Sequence, residues 1–399
     1  MVALTAVTFC FYFFLKTVGR SNTTDKELPF ASILVPARNE EGKIGRCLQS
    51  LLNQDYPDYE IIVVDDHSTD STGEIIARLA RSNPRIKFVA GANLPDGWIG
   101  KCNALVHASA HASGEFFLFT DADTVHRPNS LKDAVSYALA NKADLVSFVP
   151  VQELGSFWER VVMPVLLGSF LCGDPMHTVN DQTTDRAYAY GQYILTRRSA
   201  YLAAGGHQAV RDEIVEDHAI ARALKSKGFK VLCADGADLY KVRMYTDLTT
   251  LWHGWTKNIY SLIECRPLNL LVIITLITCA GLVPFLQFGL VLAMAASGEQ
   301  TKDLVPMAAL ATLQLITLLI WYKRTCYHYD GVDLRHFFLL PLGAVTVTAL
   351  YLHSAYLVHS GSKVNWKGRC YTVNSSKTIE PSNHLDQALN SLITRNPAD

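Results

Sequence analysis

The sequence has no closely spaced pair of cysteines. Its nine, at positions 10, 47, 102, 172, 233, 265, 279, 326 and 370, form no C-x-x-C or C-x-x-H. That argues against zinc and gives no sign of a disulfide framework. It suits a reducing compartment. A surplus of one charge is also missing. With 36 basic and 37 acidic residues the formal net charge is −1, so nothing points to a nucleic-acid partner. Three stretches, 268–297, 304–322 and 336–360, contain no Asp, Glu, Lys or Arg. Each approaches or exceeds the roughly 20 residues a helix needs to cross a bilayer. Three such runs in one C-terminal third are hard to bury in a soluble core.

What is present agrees with those gaps. Hydrophobic residues make up 49% of the chain and mean hydropathy is +0.13. A fourth apolar run, VALTAVTFCFYFFL (2–15), is followed by Lys16 and Arg20. No basic region precedes it and no small-residue cleavage site follows. Residues 1–20 therefore read as a membrane anchor rather than a cleaved signal. Its basic C-terminal flank places the following domain, 28–245, in the cytoplasm. The uncharged runs make 268–360 a transmembrane region of about three helices, and 361–399 a polar tail. Topology does not close simply. Lys323, Arg324 and Arg335 put one loop inside, and one further span would put Lys363, Lys367 and Arg369 outside. Either 336–360 doubles back, or 268–297 is two short segments broken near Pro284.

Between the anchor and the spans, short β-rich runs alternate with helical patterns. ASILVP (31–36), EIIVVDD (60–66), IKFVA (86–90), EFFLFTDAD (115–123) and ADLVSFV (143–149) are the strands. Helical patterns lie at 39–53, 71–82, 101–112 and after Pro128. This order predicts an α/β domain with a mostly parallel sheet and helices on both faces. Apolar strands without alternation agree, because both faces are covered. Ligands of such sheets bind beyond the carboxyl ends of the strands.

Three strand ends are polar: Pro36-Ala37-Arg38-Asn39-Glu40, Asp65-Asp66-His67-Ser68 and Asp121-Ala122-Asp123. Asp121 and Asp123 are two apart, so in extended chain they project on one side. Paired carboxylates repel unless a cation lies between them or one takes a proton. Mg2+ or Mn2+ is the natural partner, and such ions keep positions open for phosphate oxygens. The pair suggests a metal-bridged nucleotide diphosphate. Ser71 and Glu74 have the spacing of a capping box. Glu216 and Asp217 also suit the first turn of a helix, where negative charge complements the dipole.

Two further stripes recur at helical spacing. Leu248, Leu251, Trp252, Trp255, Ile259 and Leu262 predict an amphipathic helix at the membrane surface within 246–267, with His253 and Lys257 on its polar side. Leu154, Phe157, Trp158, Val161, Val162 and Val165 form the second, facing either the bilayer or the sheet, and Pro164 is expected to kink or end it. The polar segment 173–190 is expected to be a mobile loop closing over a bound donor. Gly191-Gln192 then open an acceptor-side strand.

PARNEE (36–41), VVDDHSTDST (63–72), GKCNAL (100–105), DAD (121–123) and VEDHAIARAL (215–224) occur in the order seen in family 2 glycosyltransferases. Over about residues 30–260 the chain resembles that family and its GT-A fold, which is Rossmann-like. QELGSFWER (152–160) and VNWKGRCY (364–371) make the membrane-anchored, lipid-glycosylating branch the most similar, that of ceramide glucosyltransferases and of hopanoid and carotenoid transferases. The resemblance implies a nucleotide sugar, UDP-linked, as donor and a membrane lipid as acceptor. It implies that Pro36, Arg38 and Glu40 line the nucleoside pocket, and that Asp66 or Asp65 reads the uracil edge. Lys101 would lie near the diphosphate, Asp121 would contact ribose or metal, and Asp123 would hold the metal. Asp217 would be the general base of an inverting displacement, with Glu216 orienting or polarising it. The Q-x-x-R-W signature of processive members is absent, and LWHGWTKN (251–258) stands in its region. One sugar per lipid is therefore expected. Trp255 and Gln192 would border the acceptor and Lys257 the leaving diphosphate, or this helix serves only to dock on the membrane.

Two rival readings exist. DADTV (121–125) also fits a haloacid-dehalogenase-type phosphatase with Asp121 as nucleophile, although that motif normally follows the first strand of its domain. A non-catalytic membrane protein that binds nucleotide sugars is the other, against which the Asp217 carboxylate counts.

Overall fold

Runs rich in Val, Ile, Leu and Phe become strands buried on both faces. The computed structural model describes residues 28–173, 176–298, 302, 304–366 and 369–372. The expected anchor over 1–20 and residues 373–399 of the tail lie outside the described residues. Among these, the main sheet has seven strands. They are β1 (Ala31–Ala37), β2 (Tyr59–Asp65), β3 (Ile86–Ala90), β4 (Phe116–Phe119), β6 (Leu145–Val149), β8 (Ile194–Arg197) and β9 (Val231–Asp235). Their order is β3-β2-β1-β4-β8-β6-β9. All neighbours are parallel except β8, which runs antiparallel to both β4 and β6. In register, Ile33 stands beside Ile61 on one side and Leu118 on the other.

Side chains of successive strand residues go to opposite faces. Ile33, Val35, Ile61, Val63, Phe116 and Leu118 meet helices α1 (Ile44–Leu52) and α4 (Ser130–Ala140). Leu34, Ile62, Val64, Phe117 and Phe119 meet α3 (Gly100–Ala110), α7 (Arg198–Ala204) and α8 (Glu216–Ser226). The sheet is mostly parallel with helices on both faces, as expected. Helix α2 (Thr72–Ser82) forms as well. Its expected capping box does not. Ser71 makes no side-chain cap, and its N–H is taken by the Glu41 carboxylate at 3.0 Å.

The strand carrying FFLF ends at Phe119. Residues 121–123 turn into β5 (Thr124–His126), because the Thr124 hydroxyl and N–H both reach the Asp121 carbonyl, at 2.8 and 3.4 Å. The expectation that Asp121 and Asp123 project side by side from extended chain is thus corrected. A second sheet has the order β11-β7-β10-β5, with β7 (Val151–Glu153), β10 (Tyr240–Val242) and β11 (Tyr329–Asp330).

Helix α5 (Phe157–Gly173) runs through Pro164 without ending there. After it, α6 (Met176–Asn180) leads into a segment that is tied down rather than loose. Asn180 bonds both Cys233 N and Cys233 O, and Gln182 bonds Val231 O.

Past the sheets lie α9 (Leu248–Leu262), α10 (Pro267–Gly281), α11 (Val283–Ala296), α12 (Leu304–Thr325) and α13 (Leu340–His359). Asp247 caps α9, accepting from Thr250 N at 2.9 Å. Among the described residues, three helical stretches are long and apolar enough to cross a membrane: Pro267–Ala296, Leu304–His328 and Leu334–His359. The first is interrupted at Leu282, just before Pro284, which separates α10 from α11. Leu154, Val161, Val162 and Val165 are buried with Leu251, Trp255 and Ile259 of α9 and with α12 and α13. These four stripe residues therefore pack on helices rather than on the main sheet, while Phe157 is exposed, and Leu251, Trp255 and Ile259 of α9 are covered by protein. Gly343 permits the closest approach, since a Cβ there would fall 2.4 Å from the Val161 carbonyl.

At the amino ends of the strands, Glu60 is buried and accepts from Ser32 and Ser113 hydroxyls, Ser113 N and Lys87. Gly114 closes this network, and a Cβ there would sit 2.5 Å from Ser32 N and 2.8 Å from Ala31 C. The main chain cannot yield as a flexible side chain would. Gly114→Ala should therefore destabilise by about 1–3 kcal/mol, read as a lower thermal midpoint of the detergent-solubilised protein.

Candidate functional site

The carboxyl ends of β1, β2 and β4 open into one crevice, and the loops following β1 and β2 are laced together. Asn39 N donates to Ser68 Oγ at 3.0 Å, Glu40 N to Thr72 Oγ1 at 2.7 Å, and Thr69 N to Asn39 Oδ1 at 2.8 Å. Two non-glycine residues there, Asn39 and His67, hold φ of 52° and 56°. Such left-handed conformations persist where the surroundings over-determine them. Arg38 reaches across the crevice and donates to the carbonyls of Asp66 (2.5 Å) and His67 (2.8 Å). Its guanidinium thus shapes the loop that carries the two aspartates. Asp66 is buried, with its N–H on the Ala37 carbonyl at 2.8 Å. Asp65 Oδ1 accepts from Ser68 N at 3.2 Å. Pro36 is half-buried near the end of β1.

Deeper in the crevice the charges converge. Lys101, in the first turn of α3, places its ammonium 2.7 Å from Asp121 and 2.7 Å from Glu216. Lys43 lies 3.6 Å from Asp123 and 4.0 Å from Glu40, and it donates to the Met244 carbonyl at 3.0 Å. Asp217 accepts the Gly191 N–H at 2.9 Å through Oδ2 and the His218 N–H at 2.9 Å through Oδ1. A Cβ at Gly191 would lie 3.1 Å from Asp217 and 3.2 Å from Lys101, so glycine keeps this cradle open.

Protonation follows from that crowding. Burial pushes Asp217 up to about 7, reinforced by the Glu216 charge and opposed by Lys101. Burial likewise raises Asp121 against the pull of Lys101. Burial disfavours ionised Glu216 too, but Lys101 outweighs it and holds that carboxyl below its usual value. Burial works against the Lys101 ammonium, and the charges of Asp121, Glu216 and Asp217 overcome it, raising its pKa well above normal. At neutral pH the centre holds ionised Glu216, charged Lys101, and Asp217 poised between states.

The spacing of Asp121 and Asp123 predicts one cation between them. In the fold each of the two meets its own lysine. Among the described residues no three His, Cys, Asp or Glu side chains converge as a complete metal cage. The oxygen donors still fit a hard divalent ion, which is typically held by one or two carboxylates with phosphate and water completing its shell.

On the acceptor side, the Gln192 carbonyl accepts the Thr120 hydroxyl at 2.8 Å, and its amide nitrogen lies 3.8 Å from Met244 Sδ. Its Oε1 is buried without a hydrogen-bond partner among the described residues. Trp255 is buried, its ring 6.1 Å from that of Tyr245. Burial, then the Asp123 charge, raises the Tyr245 phenol. Trp255 is thus one ring removed from the acidic centre. Lys257 is half-buried two residues further along α9, and His253 is exposed. Sequence reasoning missed Lys43 and Tyr245. A signal existed for Lys43: it sits at the N-cap of α1, where a cation opposes the helix dipole.

Comparison with known proteins supplies a family and a fold. The description of glycosyl transferase family 2 matches residues 32–205. The chain is 28% identical over 349 residues to 4,4'-diaponeurosporenoate glycosyltransferase of Staphylococcus aureus strain USA300, covering 87% of this chain and 89% of that one. The same enzyme from the bovine strain RF122 / ET3-1 is 27% identical with the same coverage. Among solved structures, a mannosyltransferase from Pyrobaculum calidifontis in complex with GDP-Man and Mn2+ superimposes with a TM-score of 0.50. It shares 18% identity over 87% of this chain and 97% of its own, a likeness of fold.

A carboxyl whose folded pKa is raised stabilises the fold at low pH and loses that contribution as pH rises through the folded value. For Asp217 that window runs from its usual 3.8 to about 7. Asp217→Asn should therefore gain stability relative to the native protein across this window and keep a constant difference above it. Thermal midpoints of both proteins measured from pH 4 to 8 check this.

Proposed function

From a chain that carries a glycosyl transferase family 2 domain on the GT-A fold, we infer a membrane-bound inverting glycosyltransferase that moves one sugar from a nucleotide sugar to a lipid hydroxyl. The observation that carries this is Asp217, a carboxylate with pKa of about 7, held by Gly191 beside the Lys101–Asp121 pair. A general base works best with a pKa near the operating pH. The family 2 match sets the phosphatase reading aside.

In this reading the laced loops receive the nucleoside of a UDP-sugar. Pro36, Arg38 and Glu40 line its pocket, and Asp66 or its neighbour Asp65 accepts from the uracil edge. Lys101 and Asp121 face the ribose and diphosphate. Asp123 and Asp121 would hold Mg2+ or Mn2+, which would supply positive charge to stabilise the leaving diphosphate. Gln192 and Trp255 border the acceptor, and Lys257 adds charge on the diphosphate side. Asp217 takes the proton of the acceptor hydroxyl, and Glu216 orients the hydroxyl. The acceptor oxygen bonds the anomeric carbon from the face opposite the leaving group. The bond from that carbon to the diphosphate oxygen breaks, and its electron pair leaves with the nucleoside diphosphate. One displacement of this kind inverts the anomeric centre.

A lipid acceptor is supported by the relative named for 4,4'-diaponeurosporenoate and by the three stretches long enough to span a membrane. We place the catalytic domain, 28–245, on the cytoplasmic side, anchored by 1–20 and 268–360 and flanked by the helix within 246–267. The acceptor in that relative's name is a carboxylate, which would arrive already ionised. A base near neutrality favours a hydroxyl here.

Membranes containing the protein, incubated with radiolabelled nucleotide sugars and then extracted, should carry label into the organic phase. Asp217→Asn and Asp123→Ala should each lower this by roughly 100-fold or more. Label that persists undiminished in both variants would overturn the mechanism. With Asp217 as base, the transfer rate should climb between pH 5 and 8 through a midpoint of about 7. A flat profile would point instead to an acceptor that needs no base.

A further inference from the structure

We propose that Lys225 is a positioning residue for sugar transfer, whose enclosed ammonium fixes the segment 178–191 along α8 and thereby the Gly191 N–H that orients Asp217. The proposal rests on the reading of Asp217 as the base.

Lys225 lies in the last turn of α8 and is 8% exposed. Lysine is seldom buried this deeply, and an ammonium taken from water must be rebonded. Its Nζ donates to three main-chain carbonyls, those of Val179 (2.8 Å), Asp181 (2.8 Å) and Arg186 (2.6 Å). Thr178 O stands further off at 3.5 Å. An ammonium has three N–H groups, so the short bonds account for all of them. Carbonyls at the end of α6 and in the irregular chain after it have no ladder to satisfy them, and here one side chain gathers three.

The segment runs antiparallel to α8 and is gripped at both ends. Arg186 meets Lys225, Tyr188 lies against the His218 ring at 5.6 Å between centroids, and Gly191 N–H meets Asp217 at 2.9 Å. Between these points Ala187 and Ala189 are buried with Ile220, Ala221 and Leu224. One helix therefore carries both the base and the cation that holds the base's hydrogen-bond donor in place. Methionine would fill the volume but provide no donors. Arginine would keep the charge but present a planar fork to carbonyls gathered round a point.

The nucleoside loops follow β1 and β2, and this segment meets the donor side at Gly191 alone, beside Lys101, so donor binding should suffer far less than the chemical step. In the purified full-length chain, Lys225→Met should lower kcat roughly 10- to 100-fold, as a small misplacement of a reacting group does. The donor KM should change by less than about twofold. Backbone hydrogen exchange of 178–191 should accelerate, with β1 and β2 unchanged. Lys225→Arg should recover part of the lost kcat. Unaltered exchange in this segment, or an unaltered kcat alongside faster exchange, overturns the proposal. If Lys225→Met does not fold, the double variant Asn180→Ala, Gln182→Ala decides, because it removes the side-chain ties of the same segment to β9. The same fall in kcat at constant KM supports the proposal, and a native kcat refutes it. Absence of transfer by the native chain would strike the functional reading alone, since the exchange experiment reads Lys225 without it.

Discussion

Five carboxylates converge on the crevice: Glu40, Asp121, Asp123, Glu216 and Asp217. Two ammonium groups, Lys43 and Lys101, stand among them. Charges this close in a partly dry cleft interact by several kcal/mol at an effective dielectric of about 20. Lys101 stays charged because three acids surround it, and Asp217 rises chiefly through burial, reinforced by the Glu216 charge and only partly opposed by Lys101. A diphosphate would add further negative charge to this surplus. That imbalance is the physical case for a divalent ion accompanying the donor.

The scaffold makes such crowding tolerable by keeping it at one edge. Both faces of the central strands are covered by helices, so the charged groups gather at strand ends. Crossed hydrogen bonds fix the two loops there, and left-handed Asn39 and His67 let the chain turn sharply enough for them to meet. Gly191 leaves space where a side chain would separate Asp217 from Lys101. Each of these is a local feature, and together they bring five acids into one cleft.

Much of this was legible beforehand, for identifiable reasons. Uninterrupted runs such as EIIVVDD and FFLF announced a doubly covered sheet, and the ordered motifs announced the residues at its edge. What escaped depended on partners distant in sequence. Ser71 and Glu74 have capping-box spacing, yet Glu41, thirty positions upstream, takes the Ser71 N–H. FFLFTDAD reads as extended to its end, but Thr124 folds back onto Asp121 and sends the two aspartates to different lysines. The stripe on α5 showed that one face would be buried, and nothing local said that α13 would bury it. Lys225 carries no signal in the sequence, since its partners are main-chain atoms that no side-chain pattern reveals.

The second sheet joins parts that the hydropathy profile separates. β11 lies in the connection between α12 and α13, and it pairs with β7 at the Tyr329–Gln152 and Asp330–Glu153 positions. β7 pairs with β10, and β10 with β5, the strand that begins directly after Asp123. A hydrogen-bonded ladder thus runs from the loop between two apolar helices to the edge of the acidic cleft. Helices that cross a bilayer tilt to match its thickness. The ladder is thus the hydrogen-bonded route by which a shift of α12 or α13 would be felt around Asp123.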